Sequence, residues 1–145
     1  MKLKIYQIDA FTNKVFKGNY AAVIILEEWL STELMQQIAT ENNLSETAFA
    51  LKNAQNIYEI RWFSPLSEID FCGHATLATA FVIFKENEVL EKVIFTAKAV
   101  GDLIVEKLDF DYIQMTFPNR EPKVIDIIPK ELLSGLSITP NEVLL

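Results

Sequence analysis

The sequence predicts an α+β fold in which a mixed, mostly antiparallel sheet is rolled around one central apolar helix. Three observations carry this expectation. The run Ala75-Thr76-Leu77-Ala78-Thr79-Ala80-Phe81-Val82-Ile83-Phe84 has helical length and no clear polar face, and a helix that is apolar nearly all round is normally buried on every side. Short apolar runs before and after it, separated by Gly, Asn and Asp turns, read as strands. One further helix, amphipathic, lies among the early strands. The buried helix is then the axis and the strands its wrapping.

In chain order, Ile5, Ile8 and Phe11 belong to a first extended segment that ends at Thr12-Asn13-Lys14. Gly18-Asn19 signals a turn, and Ala21 to Leu26 reads as a strand buried on both faces. Ser31 suits an N-cap and Glu33 the first turn of a helix. Leu34, Met35, Ile38 and Ala39 recur at helical spacing, so an amphipathic helix is expected over Thr32 to Glu41, ended by Asn42-Asn43. Ser45 to Leu51 and Ile57 to Phe63 read as two strands of a hairpin that turns at Asn53 to Asn56. Pro65 stops the second strand, and Ser64 to Phe71 forms a loop delivering the chain to the central helix, which ends near Asn87-Glu88. Three more strands are expected over Val93 to Ala97, Leu103 to Leu108 and Tyr112 to Phe117, with Gly101-Asp102 and Asp109-Phe110-Asp111 at the turns. In the last, Ile113, Met115 and Phe117 alternate with Gln114 and Thr116, giving one buried and one wet face. From Pro118 the character changes. Asn119-Arg120-Glu121-Pro122 reads as a linker, Pro129 opens a short helix as its first residue, and Pro140-Asn141-Glu142 resembles another helix start. The expected organisation is a domain over residues 1–118, with 119–145 a linker and the start of an absent second half-domain.

The bulk numbers exclude several functions. A chain of 145 residues has the length of one ordinary domain and can bury roughly two-thirds of its unfolded surface. Its formal net charge of -7, without a Lys/Arg run, argues against nucleic acid, whose phosphates need clustered basic side chains. The single cysteine and single histidine leave no internal disulfide and no tetrahedral Cys/His zinc set, so no metal site is expected. The longest apolar stretch is too short to span a bilayer. The N-terminus alternates like a strand and lacks a signal-peptide apolar core. A cytoplasmic protein without nucleic-acid or membrane partners is expected.

The chemistry-bearing residues gather around the start of the central helix. His74 and Cys72 flank Gly73 there, and a buried helix N-terminus offers unpaired N–H groups and positive partial charge to an anionic ligand. Glu46 opens a strand in an apolar neighbourhood; desolvation favours the neutral form of a carboxylic acid, which suits a general acid or base near neutrality. Its bland alternative is an edge glutamate with its head in water. A neutral His74 imidazole can donate to a substrate carboxylate or relay a proton, or it can simply be satisfied by backbone carbonyls. Cys72 is either a thiol activated by the helix terminus or a small buried hydrophobe. A Cys72–His74 nucleophile pair is not expected, because residues two apart on a helix do not face each other. Glu68 and Asp70 could pair on one side of the loop, although a solvated loop or a capping role for Asp70 is the plainer reading. No GxGxxG or P-loop pattern is present.

Taken together, Asn43-Leu44-Ser45-Glu46-Thr47-Ala48-Phe49, Phe63-Ser64-Pro65 and Glu68-Ile69-Asp70-Phe71-Cys72-Gly73-His74-Ala75-Thr76-Leu77-Ala78 resemble the PhzF-like phenazine-biosynthesis family. The Gly18-Asn19 turn before a valine-containing strand matches too, as do Phe95-Thr96, Gly101 and Leu103. Tyr20 stands where the family usually has proline. The resemblance runs from the N-terminus to about Pro118. It implies the diaminopimelate-epimerase-like fold: two similar halves, each a mixed sheet rolled around a helix, with the active site between them. It implies a cofactor-independent isomerase that moves a proton on a small cyclic acid of the dihydro-hydroxyanthranilate type. By motif, Glu46 is then the proton shuttle, His74 binds substrate and relays the proton, and Gly73, His74 and Ala75 line the substrate site. The family's second half supplies an aspartate and a glycine/serine-rich helix start, and the resemblance ends before it. A homodimer of halves, assembly with a partner half-domain, or a truncated chain is therefore expected, with reduced or absent activity for one half alone. Two other readings stay open: a thiol-based amino-acid racemase or epimerase with Cys72 as base, and a non-catalytic half-domain.

Overall fold

The structure is a computed structural model and describes residues 2–53, 57–109, 112–116, 119, 121–125, 127–138 and 140–144. In order come β1 (Tyr6–Ala10), β2 (Asn19–Leu26), α1 (Thr32–Asn42), β3 (Thr47–Lys52), β4 (Tyr58–Phe63), β5 (Glu68–Ile69), α2 (Gly73–Glu86), β6 (Lys92–Ala97), β7 (Gly101–Lys107), β8 (Ile113–Thr116) and α3 (Lys130–Leu136). The strands form one sheet in the order β1-β2-β3-β4-β6-β7-β8, with β5 hung on β4. Two pairings, β2–β3 and β4–β6, are parallel; the others are antiparallel. Both outermost strands, β1 and β8, touch α2, so the sheet curls around that helix as a half-barrel.

The residues of α2 explain its place. Ala75, Thr76, Ala78, Thr79, Ala80, Val82, Ile83 and Phe84 are all buried. The facing strand positions are small: Ala21, Ala48 and Ala50 lie in the same core as the helix alanines, which lets helix and sheet backbones approach closely. The two buried threonines donate their hydroxyls to carbonyls one turn back, Thr76 Oγ1 to Cys72 at 2.7 Å and Thr79 Oγ1 to Ala75 at 2.7 Å. No ligand or water is needed to satisfy them.

β2 and β3 are buried on both faces because α1 covers the side away from α2. There Ile24, Leu26, Met35, Ala39, Phe49 and Phe63 form a second core, with Phe49 and Phe63 edge to face at 5.5 Å. Each such large side chain contributes about 1.5–3 kcal/mol by burial. α1 is capped by Ser31, whose Oγ accepts from the Leu34 N–H at 3.2 Å, and it ends at Asn43 in the left-handed region, φ 50°.

The two ends of the half-barrel differ. Tyr6 OH and Lys4 Nζ both reach Glu86, so the C-terminus of α2 lies beside the start of β1. Its N-terminus therefore lies at the opposite end, where β1 leaves at Ala10, β2 enters at Asn19 and β3 begins at Thr47.

Several expectations need correction. The first extended segment stops at Ala10; Phe11 turns at φ 64° and is exposed, because the chain must reverse to reach Gly18. Ser64 to Phe71 is not all loop. Ser64 Oγ accepts from the Leu66 and Ser67 N–H groups, and this turn lets Glu68–Ile69 pair back onto β4. Glu68 and Asp70 do not form a carboxylate pair. Glu68 accepts from Nε and Nη2 of Arg61, both at 2.7 Å, and the α2 cap is Cys72 rather than Asp70. Pro129 precedes its helix rather than opening it, and no helix follows Pro140 among the described residues; Leu144 instead bridges to Val124. Part of the Asn53 to Asn56 turn and of the Asp109 to Asp111 turn lies outside the described residues, as do Phe117, Pro118 and Arg120. Among the described residues no helix is long and apolar enough to cross a membrane.

Candidate active site

Three segments meet at the N-terminal end of α2. The segment before β3 is held from both sides: the Glu46 carbonyl accepts from the Ala22 N–H at 3.0 Å, and Ser45 Oγ donates to the Tyr20 carbonyl at 3.2 Å. Asn42 Nδ2, from the last turn of α1, donates to Thr47 Oγ1 at 3.3 Å. The parallel start of β2 and β3 thus fixes where the Glu46 side chain emerges. On the other side, Cys72 caps α2 in an extended conformation, φ -143° and ψ 107°, without a side-chain cap bond. The first turn of α2 carries no acidic residue, so no side chain of that turn offsets the partial positive charge of the helix start. Met115 of β8 closes the third side, its methyl 3.5 Å from where a Cβ on Gly73 would lie.

Here the structure brings Glu46 and His74 together. Nε2 of His74 lies 3.1 Å from Oε2 of Glu46, with side chains only 10% and 19% exposed. The carboxylate oxygen is nevertheless off the N–H axis, and both atoms are buried without a hydrogen-bond partner among the described residues. Two adjacent buried polar atoms with unused valence are costly unless something else satisfies them.

Cys72 departs from expectation. Its Sγ lies 3.3 Å from Nδ1 of His74, although residues two apart on a helix do not meet. Cys72 is outside the helix: as the extended cap residue it turns its side chain back along the first turn. The helix end does not activate the thiol. Burial pushes it up to about 11, helped by the nearby Glu46 carboxylate, and the favourable Ala75 and His74 backbone N–H groups do not offset this. A thiol protonated at neutral pH is a poor base, which weighs against a thiol-based racemase.

Gly73 is half-buried, whereas the Ala75 side chain is fully enclosed in the core, so only its backbone reaches the site. Glu46, Cys72 and His74 offer carboxylate, thiol and imidazole atoms within 4.8 Å of one another. Two other concavities lie elsewhere. One of about 320 Å³ lies by Phe81, Phe84 and Ile113, and one of about 770 Å³ lies along β4 by Trp29, Arg61 and Asp70. Trp62, which lines the second, also buries its Nε1 without a partner, but neither concavity sets a carboxylate beside an imidazole. The chemistry therefore points to the open end of the half-barrel. Sequence reasoning missed Ser45, Met115 and the Cys72 contact; for Met115 the alternation in β8 was the available signal.

Residues 8–141 match the PhzC–PhzF family, described as phenazine biosynthesis-like protein. An uncharacterized isomerase of Pseudomonas aeruginosa is 44% identical over 144 residues, which are 99% of this chain and 54% of that protein. One of Halalkalibacterium halodurans is 41% identical over 140 residues, 97% of this chain and 52% of that protein. The crystal structure of a PhzF-family phenazine biosynthesis protein from Enterococcus faecalis aligns with a TM-score of 0.85 at 47% identity, covering 100% of this chain and 55% of that one. The chain spans about half the length of the curated relatives it matches.

Proposed function

Since the chain belongs to the phenazine biosynthesis-like PhzC–PhzF family, we propose that it supplies the proton-transferring half of a cofactor-independent isomerase acting on a small cyclic acid. Glu46 is the proton shuttle in this reading. His74 donates to the substrate and relays the proton, and the first turn of α2, from Gly73 onward, attracts the acid's negative charge. The observation that carries the reading is the pair of buried, unpartnered atoms, Glu46 Oε2 and His74 Nε2, 3.1 Å apart. A carbon acid placed against them can give its proton to one while an oxygen accepts from the other, so the charge that develops on removal of the proton meets a donor. The names of the relatives as isomerases support the reaction class.

The site is open because, in this reading, a second half-domain closes it. Phe11, Val15, Phe16, Tyr20 and Leu66 are exposed, and all leave the sheet at the Glu46 end. Such an apolar rim fits burial against another domain better than contact with water.

The test is exchange of a substrate C–H with deuterated water, using a dihydro-hydroxyanthranilate-type acid and the assembled protein. Glu46→Gln should lower the rate by about 10²–10⁴-fold; unchanged exchange would dismiss the assignment. Sedimentation tests the rim: self-association, or binding to a partner half-domain, is expected, and a monomer that binds neither contradicts it.

A further inference from the structure

The mechanism above leaves Cys72 without a task, yet its sulfur is placed against the ring that does the chemistry. We infer that Cys72 is a positioning residue for His74: its S–H donates to Nδ1 and fixes the ring as the neutral Nε2–H tautomer, with that N–H turned toward Glu46 and the ligand. The inference rests on the proton-transfer reading for its catalytic meaning, but the ring's state can be read without any substrate.

The geometry leaves two ways to place the protons. Sγ is 3.3 Å from Nδ1 and Oε2 of Glu46 is 3.1 Å from Nε2. A neutral ring has one N–H and one bare nitrogen. With the hydrogen on Nδ1, a bare Nε2 lone pair would face a carboxylate oxygen, and the sulfur would have to accept. A thiol is a weak acceptor as well as a weak donor, so this arrangement gains little at the sulfur while setting two lone pairs against each other at Nε2. With the hydrogen on Nε2, the thiol donates to Nδ1 and the N–H dipole points toward the carboxylate side, so both contacts are favourable. The thiol can keep this role at neutral pH because burial holds it protonated, its titration pushed up to about 11. The same principle governs metal-bound histidines, where the partner of one ring nitrogen decides what the other presents.

The consequence is a site with defined polarity. It presents one N–H donor beside one carboxylate acceptor. The ligand must therefore carry an oxygen or other acceptor close to the proton it gives up, as an α-proton beside a carbonyl or a vinylogous equivalent does.

His74 is the only histidine in the chain, so the ring is the only imidazole in a nitrogen NMR spectrum of histidine-labelled protein and needs no assignment. At about pH 8, above the ordinary range of histidine titration, long-range proton–nitrogen correlations should show the Nε2–H pattern in the wild-type chain. Cys72→Ser keeps an O–H donor and should retain it. In Cys72→Ala the two nitrogen shifts should move toward each other, as averaging between tautomers requires. A wild-type ring protonated on Nδ1, or on both nitrogens, overturns the inference. So does an unchanged spectrum in Cys72→Ala, which would assign the tautomer to Glu46 alone. A merely structural cysteine would leave the ring pattern unmoved, and failure here leaves the Glu46→Gln exchange test standing on its own.

Discussion

Nε2 of His74 and Oε2 of Glu46 sit 3.1 Å apart at the buried start of α2, yet neither completes a hydrogen bond. One residue comes from the end of a loop held by parallel strands, the other from the first turn of the central helix. Stability alone gives no reason to bring them together. Burying unpartnered polar groups costs free energy, and a protein keeps such a cost where a ligand or a reaction uses it. The predictions below follow from this arrangement and from the half-barrel that holds it.

Alkylation tests the state of Cys72. Cys72 is buried, and burial pushes its thiol up to about 11. Its thiolate fraction at neutral pH is then about a hundredfold below that of a free cysteine. Iodoacetamide should react slowly with the folded chain and quickly in denaturant. Rapid modification of folded protein at neutral pH would contradict the burial and reopen the thiol-based racemase.

Gly18→Ala should destabilise the end of the sheet that carries the site. A Cβ there would lie 2.3 Å from the Ala10 carbonyl oxygen and 2.7 Å from Cγ2 of Thr12, and a backbone oxygen cannot move aside cheaply. A loss of about 1–3 kcal/mol is expected, read from the urea midpoint. An unchanged midpoint would mean that the Ala10–Asn19 connection is looser than the structure has it.

The centrality of α2 is tested by Ala78→Leu. Ala78 is 1% exposed in the core that α2 shares with the sheet, so three added carbons find no space, and about 1–3 kcal/mol should be lost. The same change at Leu77, half-buried on the same helix, to Met should cost less than about 1.5 kcal/mol.

The Arg61–Glu68 fork predicts a pH dependence. The hydrogen bonds from Arg61 hold the Glu68 carboxyl below its usual value of 4.5. A group whose folded value is depressed contributes stability above its unfolded value and loses it as pH falls through the folded one. Glu68→Gln should therefore lower stability at about pH 7 by less than about 1 kcal/mol, since the pair is partly solvated, and the difference should be smaller at about pH 3. A mutant equally destabilised at both values would show that the fork's charge is not what acts.

What the sequence revealed follows from what its patterns encode. The central helix was legible because Ala75 to Phe84 has no polar face, and α1 because Leu34, Met35, Ile38 and Ala39 mark one side of a helix. The β3–β4 hairpin was legible from its short connection. The parallel pairing of β2 with β3 was not, because partners on opposite sides of α1 leave no local signal, and it is this pairing that sets Glu46 beside the helix. Glu46 and His74 were singled out by their residue types and by motif; their proximity is tertiary. The Cys72–His74 contact was excluded by assuming helical geometry at a residue that turned out to be the extended cap. Phe11 was placed in the first extended segment because an apolar side chain carries no mark of a left-handed backbone.

The most direct measurement is solvent-deuterium incorporation into a saturating dihydro-hydroxyanthranilate-type acid, comparing wild type, Glu46→Gln and His74→Asn in the assembled protein. Incorporation in the wild type, reduced by about 10²–10⁴-fold in Glu46→Gln and also depressed in His74→Asn, is the predicted result. Incorporation that survives intact in Glu46→Gln would contradict the account, because the proton would then have another carrier.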